Sequence, residues 1–412
     1  MYNSNEINNE GMVEQVDDVA IAIEHESKKS TDDPMSNERI SDVTRHDRRV
    51  DTVKVKGGND VLIDSYFALL FVLDTFMRLV LAGEGLPFSV HEVSGQKRMK
   101  KASKLADFFC SVGQVAKAYS SAFVYAPHIQ LLFDAYRKHP ISCCTCVNPW
   151  VLLAGKLEGE HFNDFVMLLQ RDAKLQGTAK KLNDWCRRVN KNMRRIARYV
   201  DALFDCYARV VTVRVDLYLP GSLVDAEDVG SVLHEVEAAM ANDMATYLCG
   251  NDSELGGNAL ARVGIEELMA GRDHLFANMR GKPSLFEHLI GHIWRIECSR
   301  VGGYHLHVAF FFDGSKVRQH EWLAQKICEY WCEVVTDGFG YAHNCNRNRY
   351  PDYLLGPTDY DDHDKRGRLL KCLKYLAKED QLVYAKPTVK CKLFGTGRLS
   401  QPTGLGRKRR KE

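Results

Sequence analysis

The sequence predicts an α+β protein: a mostly antiparallel central sheet flanked by helices fills the C-terminal half, preceded by an all-helical domain and a disordered N-terminal arm. Three observations predict it. From Val61 to Tyr207 apolar residues recur at spacings of three and four, the helical period. After Tyr207 the period becomes two, which marks strands. Two of the strands are separated by Gly302-Gly303, a tight-turn signal that makes them an antiparallel hairpin.

The elements follow in order. Residues 1–59 are rich in Asn, Ser, Asp and Glu and poor in aromatics, so they cannot bury enough apolar surface to offset the entropy of ordering. A disordered acidic arm is expected there, with a short apolar patch at "VAIAIEHE". Residues 60–206 read as the helical domain, with "YFALLFVLDTFMRLV" a buried core helix: Asp74 and Arg78 interrupt it, and a membrane span needs about 20 mostly apolar residues. Its last helix gathers Arg187, Arg188, Lys191, Arg194 and Arg195, with Trp185 and Val189 interleaved and acids scarce. Such a face either neutralises nucleic-acid phosphates or is simply solvated. Residues 207–400 hold the strands "RVVTVRVDLYL", "LIGHIWRIEC" and "GYHLHVAFFF" and further helices, the last of them "KRGRLLKCLKYLAKED". Residues 401–412 form a basic tail with Arg407 and Arg409.

Composition bounds the function without choosing it. At 412 residues the chain exceeds what one core usually serves. The balance of 56 Lys+Arg against 54 Asp+Glu leaves +2, so any nucleic-acid contact must come from local charge. Thirteen cysteines without a signal peptide read as reduced thiols of a soluble cytoplasmic protein with no membrane attachment. Cys143, Cys144 and Cys146, with His128 or His139 to complete a set, lack the paired spacing of structural zinc, and ordinary thiols are the favoured reading. No G-x-x-x-x-G-K-[ST] run is present, so no P-loop ATPase is expected.

The chemistry concentrates in "YHLHVAFFFDG". Side chains two apart on a strand share a face, about 6.6 Å apart along it, so His305 and His307 stand side by side while Tyr304, Leu306, Val308 and Phe310 face the other way. Glu297 lies just before the turn, and an antiparallel hairpin would bring its carboxylate to the pair. Two imidazoles and a carboxylate make a divalent-cation site with open positions, and Asp216 on the first strand is a reserve ligand. A hydrogen-bonded histidine pair with no metal is the plain alternative. Tyr375 and Lys378 in "YLAK" are three apart on a helix and share a face. A tyrosine hydroxyl titrates near 10 and attacks only when cations stabilise its anion, which a metal and an ammonium would do.

"HLH" followed by "YLAK" in an α+β domain resembles the HUH endonucleases, and in order and spacing is most similar to the inovirus gene-2-type replication proteins, also called the YagK/YfjJ C-terminal domain family. The residues that carry this are "RVDLYLP", "IWRIECSRVGGYHLHVAFFFDG", "YLAKEDQ" and "GLGRKRRKE", from about Ala208 onward. The resemblance implies an HUH-type domain in which His305, His307 and Glu297 bind Mg²⁺ or Mn²⁺. It implies that Tyr375 attacks a scissile phosphate of single-stranded or origin DNA, giving a 5′-phosphotyrosine and a free 3′-OH for rolling-circle replication. Lys378 would steady the metal-bound phosphate or the tyrosinate, Glu379 would serve as general base for water in a second cleavage, and Arg214 would join the basic helix and tail in holding DNA. A helicase and a polymerase would be separate proteins. Two other classes stay open: a DNA-binding regulator that keeps the fold without cutting, and a metal-dependent hydrolase that does not act on DNA.

Overall fold

The computed structural model describes residues 52–56, 61–62, 66–93, 95–121, 123–250, 262–299, 302–347, 354–378, 382–385 and 391–399. Almost all of the expected N-terminal arm and the whole basic tail, with Arg407 and Arg409, lie outside them, as does Glu379. Among the described residues no helix is long and apolar enough to cross a membrane.

The chain forms two compact units, and neither is continuous in sequence. In the first are helix α1 (Tyr66–Ala82), the hairpin β1 (Phe88–Val93) and β2 (Gln96–Lys101), and helices α2 (Pro127–Tyr136) and α3 (Glu158–Leu175). The long helix α4 (Thr178–Cys206) follows, and from Asp184 it belongs to the second unit. Helix α5 (Val229–Leu248) returns to the first unit, where Tyr247 stacks on Tyr119 at 4.2 Å and donates to the Phe133 carbonyl. Sequence periodicity changes at residue 207, whereas packing divides the chain at 184, 224 and 261. The reason is that an amphipathic helix joins whichever core receives its apolar stripe. In the first unit, Asp74 of α1 is buried with His128 of α2 at 2.6 Å and Arg78 at 2.7 Å, which satisfies the charge that interrupts the apolar helix. His128 and His139 are engaged at Asp74 and at the Ile141 amide, and among the described residues Cys143, Cys144 and Cys146 enter no metal-holding group. All thirteen cysteines are free thiols.

The second unit is built on a six-stranded sheet. Its strands are β3 (Arg209–Tyr218), β4 (Leu289–Ser299), β5 (Gly303–Asp313), β6 (Tyr341–Asn344), β7 (Gly356–Asp359) and β9 (Phe394–Thr396), the short strand β8 (Val383–Ala385) lying outside the sheet. The order is β6-β3-β5-β4-β9, with β7 also paired to β3, and every pairing is antiparallel. The β4–β5 hairpin turns at Gly303, where φ is +73° and a Cβ would meet the Val263 backbone at 2.6 Å, so glycine is required twice over.

Both faces of the sheet are covered. On the back, Val211, Val213, Val215, Leu217, Leu306, Val308 and Phe310 are all buried. Helix α6 (Ile265–Asn278) packs there through Phe276 against Trp294, and α7 (His320–Tyr330) against β3. On the front, Val210, Ile293, Ala309 and Phe311 form one core with Ile196, Tyr199, Val200, Leu203 and Phe204 of α4, and with Leu369, Leu373 and Leu376 of α8 (His363–Lys378). Each such large apolar side chain, fully buried, contributes about 1.5–3 kcal/mol. At Gly291 a Cβ would lie 2.5 Å from the Tyr199 hydroxyl, so the missing side chain lets α4 close on the sheet. The two helices cover only one end of the front face. The other end is polar.

Candidate metal centre

Register places the polar residues together. Glu297 pairs with His305, Arg295 with His307, and His307 with Asp216. Alternation then puts Glu297, Arg295, His305, His307, Arg214, Asp216 and Tyr218 on the front face, continuous with the Ala309 and Phe311 positions that α4 and α8 cover. His305 and His307 are each 1 % exposed and Glu297 7 %. What reads from sequence as the open face of a half-buried strand is therefore an interior surface.

Candidate ligand atoms of Glu297, His305 and His307 lie within 4.8 Å of one another. His307 Nε2 is 2.8 Å from Glu297 Oε2, and His305 Nε2 is 3.9 Å from the same oxygen. His307 Nδ1 lies 2.5 Å from Asp216 Oδ1, and His305 Nδ1 is 3.4 Å from the Gly303 carbonyl. Those partners accept, so each ring donates from Nδ1; His305 then presents a lone pair at Nε2, while His307 turns its Nε2 to Glu297. His305 Nε2 is buried without a hydrogen-bond partner, and His307 Nε2 pairs with the Glu297 carboxylate at 2.8 Å. A buried imidazole nitrogen with no partner is costly in an interior, and a cation held between it, His307 and Glu297 would satisfy it. This buried group can hold a metal ion, and no second such group forms among the described residues.

The charges around it are balanced by the outer residues. Burial first, and the neighbouring His307 second, push His305 down to about 4, so its ring is neutral at pH 7. For His307 burial opposes the proton, but Asp216 and then Glu297 outweigh it and raise the value. Asp216, expected as a reserve ligand, is placed behind His307 instead, where its carboxylate holds the ring. Arg214 Nε lies 3.4 Å from Asp216 and the side chain is buried. Burial opposes its charge, yet the Asp216 carboxylate keeps the guanidinium protonated. Arg214 was expected to contact DNA, and its burial corrects that: it balances Asp216 from beneath.

The remaining expected residues fall as follows. Tyr375 and Lys378 lie in α8, the helix whose Leu373 and Leu376 pack onto the same face as the histidines; their side chains are outside the described ones. Arg187, Arg188, Lys191, Arg194 and Arg195 are all exposed on α4. Arg195 Nη2 donates to Thr396 Oγ1 at 2.8 Å, which ties the basic helix to β9. Three residues escaped sequence reasoning. Tyr218 stacks on His305 at 5.1 Å, Arg295 sits opposite His307, and His343 of β6 pairs with Asp216. Alternation in "RVDLYL" could have found Tyr218; the other two depend on strand pairing.

A family model described as the YagK/YfjJ C-terminal domain matches residues 172–397. No curated protein and no solved structure matches the chain.

Proposed function

Because the chain belongs to the YagK/YfjJ C-terminal domain family, and because its Glu297–His305–His307 group shares a sheet face with the helix bearing Tyr375, we propose that it is a metal-dependent DNA endonuclease and strand transferase. It would initiate replication of a phage or phage-derived element in the cytoplasm, on single-stranded or extruded origin DNA. The observation that carries this reading is that common face: cation ligands and nucleophile helix on one side of one sheet.

His305, His307 and Glu297 would hold Mg²⁺ or Mn²⁺, which supplies charge neutralisation for phosphate oxygens under attack. Asp216 would hold His307 with its Nε2 turned to the cation, and Arg214 lies against the Asp216 carboxylate. Tyr375 provides the nucleophile: its Oη bonds to phosphorus as the bond to O3′ breaks, and the proton passes to the leaving 3′ oxygen. The products are a 5′-phosphotyrosine and a 3′-OH that a polymerase extends, and the reverse step rejoins the strand. Lys378, three residues on in the same helix, steadies the tyrosinate. Glu379 serves as the base for water in a second cleavage. Unwinding and extension fall to separate proteins.

Incubating the purified chain with Mn²⁺ and supercoiled or single-stranded DNA of its replicon tests this. The expected product is nicked DNA with a denaturant-resistant protein adduct, absent in Tyr375→Phe and Glu297→Gln. DNA binding with no adduct in either metal would refute strand cutting and leave a regulator that keeps the fold; metal binding with no DNA affinity at low salt would leave a hydrolase of another class.

A further inference from the structure

Trp185 of α4 and Tyr384 of β8 stack with ring centroids 5.1 Å apart and planes 27° from parallel, and both rings are only partly buried. The Arg188 guanidinium lies 5.6 Å from each centroid. Neither aromatic belongs to the core that seats α4 on the sheet, which begins at Ile196. Tyr384, beyond the helix that carries Tyr375, meets the basic helix through this stack. The exposed cations Arg187, Arg188, Lys191, Arg194, Arg195 and Arg198 continue along the same helix, and the acids nearby are engaged, Asp184 with Arg187 and Asp201 with Arg366.

The helix runs past the metal centre. Tyr199 meets β4 at Gly291 and His292, while Arg195 meets Phe394 and Thr396, which pair with Arg295 and Ile293. Falling numbers on α4 thus match rising numbers on β4, and the N-terminal half of the helix extends toward the Glu297 end. Trp185 lies ten residues, about 15 Å, beyond Arg195. Phe394 and His307 are two strands apart, roughly 10 Å.

We propose that Trp185, Tyr384 and Arg188 form a stacking platform for an unpaired base, and that the exposed cations of α4 lead its phosphates toward the Glu297–His305–His307 centre. This rests on the DNA reading above and deepens it. Charge complementarity commits the surface to a polyanion, and a part-exposed aromatic pair beside the cations favours one whose bases are unstacked. A duplex presents phosphates but no free base face.

The test is anisotropy of labelled DNA with the full chain in EDTA, so that no cleavage enters. The probes are an oligothymidylate, an abasic strand of equal length and a blunt duplex. The oligothymidylate should bind tightest, Trp185→Ala and Tyr384→Ala should each weaken it about tenfold, and Trp185→Phe should restore most of it. Lys191→Ala should lower the salt slope by about one, while Trp185→Ala leaves the slope unchanged. Equal binding of the abasic strand, or preference for the duplex, overturns the platform. Should Trp185→Ala also lower the unfolding midpoint, the abasic comparison on the unaltered chain decides alone. A chain that never forms an adduct yet shows base-dependent binding keeps the platform and loses the nuclease; an active nuclease indifferent to bases does the opposite.

Discussion

Asp216→Asn separates the two jobs assigned to that carboxylate. Its charge opposes the Arg214 guanidinium 3.4 Å away, and its Oδ1 receives the His307 Nδ1 proton. At an effective dielectric near 20 a pair at that distance interacts by about 5 kcal/mol. Removing one partner of a buried pair costs about 3–5 kcal/mol, because the other charge stays desolvated. Independently, loss of the carboxylate behind a ligating histidine weakens metal affinity about 10- to 100-fold. Urea unfolding and a calorimetric Mn²⁺ titration read the two effects. Adding Arg214→Met removes the orphaned cation and should return most of the stability while Mn²⁺ affinity stays low. Unchanged Mn²⁺ affinity in Asp216→Asn would refute the placement of Asp216 behind a metal ligand, and unchanged stability would refute its pairing with Arg214.

Leu373→Ala, at 1 % exposure in the core between α8 and the sheet, should lower the unfolding free energy by about 2–5 kcal/mol in a denaturant titration. Asp74→Ala leaves His128 and Arg78 without their carboxylate and should cost about 3–5 kcal/mol, seen as a lower midpoint for the first unit. His292 is pushed down to about 4 by burial, so it is neutral when folded and gains its proton more readily when unfolded. Its stability contribution is complete above pH 6.5 and fades as pH falls toward 4, by up to about 3 kcal/mol. His292→Phe, whose ring would still meet Phe276, should flatten that acid limb of the stability curve.

Much of the sheet was legible because its cues are local. The alternation of "RVVTVRVDLYL" and "YHLHVAFFF" and the Gly302-Gly303 turn gave three strands and one hairpin, and the hairpin alone brought Glu297 opposite His305. Strand order was not legible: β3 enters beside β5 from about ninety residues earlier, and local pattern holds no record of that partner. This is why His343 and the true place of Asp216 were missed. Arg214 misled for a related reason, since an arginine on the polar face of a strand reads as surface until helices are known to cover it. In α4 the run of cations drew attention from Ile196, Tyr199, Val200, Leu203 and Phe204, the stripe that seats the helix on the sheet.

The most direct measurement is the identity of the residue joined to DNA. After reaction with Mn²⁺, nuclease trimming and proteolysis, mass spectrometry should find a nucleotide phosphate on the peptide containing Tyr375, and none when EDTA replaces the metal. Modification of a different residue, or an adduct that forms equally well in EDTA, would contradict a metal-dependent attack by Tyr375.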